Sequence, residues 1–466
     1  MSDFNKLEDT IIAPATQTFG HALSVIRMSG ADAFKICSRL VKNPLAPKHK
    51  TARLVEIIDK NKLLDKVILT SFKKPFSFTG EDTVEISCHG SPYIVSEIIS
   101  LAIKYGARSA DVGEFTMRAF LNEKLDLAQA EGICDLINSQ NRSSHRAAIN
   151  LTEGKISKKL SQIKNGLIDM LAQIEVRLDD PDEELDALSA VQITRLLKPI
   201  SKKIKELADT FNTGRLITGG IKVSIVGVPN CGKSSLLNYL LESDRAITSH
   251  IPGTTRDTIE ASIELDGKRF ILIDTAGIRR HVLDPAEKEG MRRSQKAMDK
   301  SDIILFVTDI NNAKTACDRK LWHEIKNHKD NESKEIIKII NKSDLLKGKK
   351  TKKAFEFAKT KASEIKISCK TGVGIDILKR KISKAFNLEK SDTNQLIITS
   401  LRHYDGLKKA LAELLKINPL LKQKNIQTEL LAEHIRTSLN DLENIIGKTT
   451  SQDVLDVVFK KFCLGK

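Results

Sequence analysis

The stretch KVSIVGVPNCGKSSLLN, residues 222–238, runs from an apolar strand pattern through a loop of the form GxxxxGK[ST] into a helical pattern. Such a loop turns successive backbone N–H groups toward a chain of phosphates. Lys233 then reaches the outer phosphates, the Ser234 hydroxyl supplies a magnesium ligand, and Cys231, Gly232 and Ser235 complete the cradle. DTAG follows the strand pattern FILI, so that Asp274 holds the magnesium shell and the Gly277 amide meets a γ-phosphate, with Thr275 and Ala276 between them. NKSD follows IIKII at Asn341, Lys342, Ser343 and Asp344. A carboxylate there accepts hydrogen bonds from the ring N–H and exocyclic amine of guanine, a pattern adenine does not offer. Ser368, Cys369 and Lys370 follow the next strand pattern, where a backbone amide can meet the guanine carbonyl. Four elements in order, each at a strand end, predict a GTP-hydrolysing domain.

Between loop and DTAG lies SHIPGTTRD, the expected switch: Ser249, His250, Ile251, Pro252, Gly253, Thr254 and Thr255, with Thr255 closing the magnesium shell when γ-phosphate is present. After DTAG stands Ile278, where Ras-like enzymes carry a glutamine that orients water. An apolar side chain cannot do this. Arg256 is a candidate arginine finger, though a phosphate or RNA contact fits it equally. Asn230 offers a side-chain oxygen beside the β–γ bridge, and with switch carbonyls it can coordinate potassium where a finger's charge would sit.

The 466 residues are 40% apolar, enough for two to four domains with proper cores. No apolar run approaches the roughly 18 residues of a membrane span, and the first twenty residues lack a basic start and an apolar stretch, so a cytoplasmic protein without a membrane anchor is expected. Seven cysteines without a CxxC pair suit reduced thiols. Cys88 and His89 lack a second ligand pair at metal-binding spacing. The net charge of +16 fits a phosphate-rich partner, or equally a lysine-rich surface that is merely solvated.

The elements that must position these residues follow from periodicity. Residues 1–118 alternate strand-like runs (ALSVIRM, ARLVEII, KVILTSF, DTVEISC) with helical ones, predicting an α+β domain. From 119 to 215 apolar residues recur at three and four, predicting long helices with an interruption or kink at Pro199. Residues 216–388 alternate buried strands and helices, an open parallel sheet. Helical periodicity returns over 389–466, so the expected architecture is an all-α domain interrupted by an inserted α/β P-loop GTPase domain. The terminal FCLGK places Cys463 near the end, but Gly465 and Lys466 fit a prenylation box poorly. The apolar face of Val454, Leu455, Val458, Phe459 and Phe462 predicts a docked tail.

GVPNCGKSSLLN, GTTRD, DTAG and NKSD resemble the translation-factor-related GTPases that dimerise through their G domains with potassium. VIRMSG at 25–30, FTGEDTVEISCHG at 78–90, GEFTMRAFLNEKLDLAQAE at 113–131, PDEE at 181–184 and the terminal FCLGK extend the likeness over essentially the whole chain to the MnmE (TrmE) family of tRNA-modifying GTPases. The resemblance implies an N-terminal domain that binds a tetrahydrofolate derivative (5-formyl- or 5,10-methylene-tetrahydrofolate) and forms a homodimer. It further implies an FAD-binding MnmG-type partner and installation of an aminomethyl-type group on carbon five of the wobble uridine of certain tRNAs. Arg27, Glu85, Lys124 and Lys466 are similar to the family's folate contacts, and Asn230, Ser249, Ile251 and Thr254 match its potassium positions. Glu287 matches the water-orienting glutamate, with Glu289 a rival, and Cys463 is either a reactive thiol or inert packing. A ribosome-assembly GTPase is the alternative reading; such factors pair the G domain with an RNA-binding module or a second G domain, and neither is apparent in the sequence.

Overall fold

The computed structural model describes residues 9–16, 21–43, 49–178, 188–243, 261–273, 297–311, 316–327, 334–346, 363–386, 396–423, 427–448, 451–462 and 465. The chain divides into two compact units: Met1–Asn138 with Ala148–Ala208 and Arg402–Lys466, and Ser139–Ala147 with Asp209–Leu401.

In the first unit the period-two runs form β1 (Thr10–Pro14), β2 (Leu23–Ser29), β3 (Thr51–Asp59), β4 (Lys62–Phe72), β5 (Thr83–His89) and β6 (Ala107–Ser109), with helices α1 (Ala33–Leu40) and α2 (Pro92–Lys104). They make one sheet in the order β3-β4-β5-β2-β1-β6, antiparallel throughout except for the parallel pair β1 and β6. Alternation sends Ile26, Met28, Val84 and Ile86 into a core with Ile36, Leu40, Val95 and Ile98 of the two helices. The same alternation turns Arg27 and Glu85 to the opposite face, where register sets them directly across from each other. The short strands β1 and β6 complete the sheet beyond the four strands the sequence pattern marks.

The chain continues through α3 (Glu114–Leu121), α4 (Leu127–Ile137), α5 (Arg142–Thr152), α6 (Lys155–Leu178) and α7 (Ala190–Asp209). Asp126 and Gln129 form a capping box that fixes the start of α4. Of the expected interruption or kink at Pro199, the interruption does not occur: α7 runs on as one helix with the proline inside it. Loss of the proline's donor costs about 3 kcal/mol. Ile193 and Leu197 before it and Ile200, Ile204 and Leu207 after it are buried, and each stabilises by about 1.5–3 kcal/mol, so burial outweighs the lost bond.

The second unit contains α8 (Phe211–Gly219), β7 (Ile221–Val226), α9 (Lys233–Ser243), β8 (Ala261–Leu265), β9 (Lys268–Ile273), β10 (Ile303–Asp309), α10 (Ala316–Lys326), β11 (Glu335–Asn341), β12 (Ser363–Lys366) and α11 (Ile375–Ala385). The sheet order is β12-β11-β10-β7-β9-β8, parallel but for the edge hairpin β8–β9. Every residue of β10 is buried, as a strand covered on both faces requires. Val223, Ile225, Leu305 and Val307 pack with Leu236, Leu240 and Leu378 on one side, and Ile304 and Phe306 with Trp322 and Ile325 on the other.

The first unit resumes with α12 (Leu401–Leu420), α13 (Thr428–Ile446) and α14 (Gln452–Phe459). At the start of α12, Arg402 donates to Glu131 of α4 at 2.9 Å and caps the end of α13 through the carbonyls of Asn444 and Ile445 at 2.7 and 2.8 Å. His403, fully buried, lies 2.5 Å from the other Glu131 oxygen. Burial alone would raise the Glu131 carboxyl, but His403 and Arg402 outweigh it and hold it at about 2. Leu455, Val458, Phe459 and Phe462 pack on Leu127 and Ala130 with Met117, Phe120 and Ile133 around them. The apolar tail face is therefore docked within this unit.

Candidate functional site

In the second unit the loop between β7 and α9 is shaped by two backbone exceptions. Asn230 has φ +62° and Gly232 φ +98°, and both lie in the left-handed region that most side chains avoid. A Cβ on Gly232 would collide with the Asn341 side-chain nitrogen. Lys233 opens α9, and its Nζ donates to the Gly227 and Val228 carbonyls at 2.8 Å each. The lysine is thus folded over the loop whose N–H groups and helix start favour an anion.

The NKSD segment is tied to this loop. Asn341 donates to the Cys231 carbonyl at 3.1 Å, and its Oδ1 accepts from the amides of Lys342 at 2.8 Å and Cys369 at 3.2 Å. Lys342 donates to the Asn230 carbonyl at 3.0 Å and to Asp309 at 2.7 Å. One carboxamide and one ammonium therefore join three loops from the ends of β7, β11 and β12. Asp344 accepts a 2.6 Å hydrogen bond from the Ser368 hydroxyl, which holds its carboxyl below the ordinary value. It is thus a charged acceptor fixed in direction. Ser343 donates from its amide to the Ile367 carbonyl at 3.0 Å, and Ser235 and Lys370 are exposed. Burial pushes the Cys231 thiol up and that of Cys369 up to about 11, so both are protonated near neutral pH. Lys342 and Cys369 have positioning contacts here that the motif alone does not reveal.

Ser234 stands in the first turn of α9. Ser249, His250, Ile251, Pro252, Gly253, Thr254, Thr255, Arg256, Asp274, Thr275, Ala276, Gly277, Ile278, Glu287 and Glu289 lie outside the described residues, as do Cys463 and Lys466.

A second constellation lies in the first unit. Arg27 donates from Nε and Nη2 to one oxygen of Glu85 at 2.9 and 2.8 Å, with both side chains partly exposed. The guanidinium lies 5.7 Å from the ring centre of Phe78 and 5.8 Å from that of Phe115, within cation–π range. Lys124 donates to the Pro75 carbonyl at 2.9 Å, in the same loop that carries Phe78, and its stem runs beside Gly80. Gly465 has φ +87°, and a Cβ there would collide with the Pro14 carbonyl. Pro14 follows Ala13, the β1 neighbour of Arg27. The structure thus gathers Arg27, Glu85, Lys124 and the residue before Lys466 around the sheet face and the 75–81 loop.

Sequence reasoning did not single out the ion network beside this constellation. Arg118 is fully buried, donating to Asp9 at 2.5 Å, Glu114 at 2.9 Å and Glu81 at 3.2 Å. Arg108 binds Asp9 and Glu114 at 2.6 Å each. Burial raises the Asp9 and Glu114 carboxyls, but hydrogen bonds from these arginines outweigh it and leave both below their ordinary values. Glu81 also accepts from Ser29 of β2 at 2.7 Å, so the network locks the 75–82 loop to the strand carrying Arg27. The only signal in sequence was the i, i+4 spacing of Glu114 and Arg118 inside GEFTMRAF.

Among the described residues no helix is long and apolar enough to cross a membrane, and no group of three or more metal-ligating side chains is present. Residues 10–124 match the family described as GTP-binding protein TrmE N-terminus, and residues 127–463 match the MnmE helical domain. The tRNA modification GTPase MnmE of Christiangramia forsetii is 39% identical over 482 aligned positions, covering 99% of this chain and 100% of that one. That of Flavobacterium johnsoniae is 39% identical over 466, covering 98% and 99%. The Coxiella burnetii protein of the same name is 38% identical over 459, covering 98% and 99%. With two family models spanning its length and relatives aligned end to end, this chain belongs to the MnmE family of tRNA modification GTPases.

Proposed function

We propose that the protein hydrolyses GTP in a cycle that drives modification of wobble uridines in tRNA, adding a carboxymethylaminomethyl or aminomethyl group to carbon five with an FAD-binding MnmG-type partner. The observation that carries the nucleotide half is the Asn341 carboxamide, which fixes the phosphate loop and the base loop in one frame. In that frame Asp344 receives the guanine edge and Lys233 turns from the loop carbonyls to the outer phosphates. The hydroxyls of Ser234 and Thr255 suit magnesium, with Asp274 assigned to its outer shell, and the ion would supply charge for the departing phosphate. Asn230, Ser249, Ile251 and Thr254 are assigned to potassium, an ion that neutral oxygens suit. Glu287, or its rival Glu289, orients water.

In the other half, Arg27, Lys124 and Lys466 provide cations for the carboxylates of a tetrahydrofolate, and Glu85 provides an acceptor for the donor edge of its pterin. The donor set fits such a ligand: two aromatic rings flank the guanidinium, and the acidic partner leaves an oxygen for a further donor. The folate supplies a one-carbon unit. The proposed division is 1–118 for folate binding and homodimerisation, 119–215 and 389–466 for the helical domain, and 216–388 for the G domain.

The test is mass spectrometry of tRNA nucleosides from source cells lacking the gene. Wobble aminomethyl-type uridines should vanish and return with the intact gene but not with an Asp344→Ala variant. Unchanged wobble uridines without a redundant enzyme would overturn the reading.

A further inference from the structure

The helix α7 carries a feature that neither nucleotide nor folate chemistry uses. Arg195, Lys198, Lys202 and Lys205 follow one another at three, four and three residues, which places them on one stripe of the helix. All four are exposed. The stripe lies away from the buried Ile193, Leu197, Ile200 and Ile204 and spans about 15 Å of helix axis.

Several basic side chains on neighbouring helices of the same unit are closely paired, which those of the stripe are not. On α6 and its flanks, Lys155 meets Glu153 at 2.7 Å and Lys164 meets Glu443 at 2.9 Å. On α12 and α13, Lys416 meets Glu413 at 2.7 Å and Arg436 meets Glu175 at 2.6 Å. On the stripe only Lys202 is ion-paired among the described residues, to the exposed Glu206 at 3.7 Å, a contact worth little in water. Between Arg195 and Lys205 the sequence has no acidic residue and adds a fifth exposed cation, Lys203. Like charges on successive turns repel and weaken an isolated helix. An anionic partner relieves that repulsion.

We infer that this stripe is a docking surface for the phosphate backbone of the tRNA, an inference that rests on the tRNA-modifying reading above. Four point charges in a line suit a row of phosphates, and release of the counterions condensed on RNA supplies the free energy. The helix has no aromatic residue to stack on a base, so the contact positions the RNA without reading its sequence.

The experiment measures binding of fluorescent tRNA to the full chain across a salt titration. One variant replaces the stripe with Arg195→Gln, Lys198→Gln, Lys202→Gln and Lys205→Gln. A second removes the same charge from scattered exposed positions, Lys62→Gln, Lys104→Gln, Lys408→Gln and Lys422→Gln. Glutamine is a good helix former, and unchanged circular dichroism and GTP turnover verify folding. The stripe variant should lose affinity at least about tenfold at moderate salt, and the slope of log K against log salt should shrink by about 3, near 0.7 to 0.9 per lost phosphate contact. Replacing the three lysines with arginine should keep the affinity. The scattered variant should bind nearly as the wild type does. Equal losses in both glutamine variants would show that net charge alone matters, and retained binding by the stripe variant would show that RNA sits elsewhere; either overturns the docking surface and leaves the tRNA reading standing. If the wild-type chain binds no tRNA, alone or with its FAD-binding partner, both fall.

Discussion

The phosphate loop of the second unit and the Arg27–Glu85 constellation of the first are built in opposite ways. The loop is contiguous in sequence: Asn230 and Gly232 take up positive φ and Lys233 opens the next helix. The constellation has no contiguous motif. Arg27 and Glu85 stand 58 residues apart and meet only because β2 and β5 pair in one register. A one-residue slip would send one of them into the core. A local site can therefore lose chemistry while its unit remains folded, whereas a register-built site depends on whatever holds strands and loop together.

The largest expected effect tests that dependence. Arg118→Ala leaves Asp9, Glu81 and Glu114 without their buried partner, and breaking such a pair costs about 3–5 kcal/mol. Chemical denaturation should show this loss, and tetrahydrofolate binding should weaken although residue 118 is not assigned to the ligand. Undiminished stability would mean that the constellation is held by its sheet alone.

The second prediction concerns the loop. Lys233→Ala should reduce GTP turnover by on the order of 10²–10³-fold, the loss typical of one transition-state donor, with the denaturation midpoint nearly unchanged. A collapse in stability would show that the two lysine-to-carbonyl bonds organise the loop and that the comparison is misdrawn.

Acid should next act on a third contact, the one between α4 and α12. Glu131 titrates at about 2 in the folded chain against an unfolded value near 4.3. A depressed carboxyl contributes stability that is present above the unfolded value and is lost as pH falls through the folded one, so the loss should develop between roughly pH 4.5 and 2 and amount to about 3 kcal/mol. Glu131→Gln should remove this part of the acid dependence in a pH series of denaturation curves. An unaltered acid limb would assign it to other carboxylates.

The smallest effect is a change of specificity. Asp344→Asn exchanges an acceptor for a group that can donate, and xanthine carries a carbonyl where guanine carries its amine. GTP affinity should fall by about 10- to 100-fold, the worth of a hydrogen bond to a charged group, and XTP affinity should rise. Equal weakening toward both nucleotides would mean that Asp344 mainly orders Ser368 and its loop.

Much of the fold was legible because periodicity reports burial directly. The seven-residue run of β10 is buried throughout, and the spacing of Ile156, Leu160, Ile163 and Leu167 marks the core face of α6. The interruption at Pro199 did not occur because burial on either side of it outweighs the local penalty. Arg118 was missed because a charged residue inside an amphipathic pattern looks solvent-facing until Glu114, one turn earlier, and Asp9 and Glu81 from distant segments close around it.

The amino-acid sequence by itself determined the order of elements, the glycine-rich loop between β7 and α9 and the carboxylate proposed to read guanine, since these motifs depend on residues within a few positions of one another. Tertiary structure alone decided that Asn341 would tie three loops together, that Arg27 would face Glu85 between Phe78 and Phe115, and that Gly465 would lie against Pro14. Those contacts join segments tens to hundreds of residues apart, and they form only where strand register and core packing outweigh the chain entropy that keeps such segments apart.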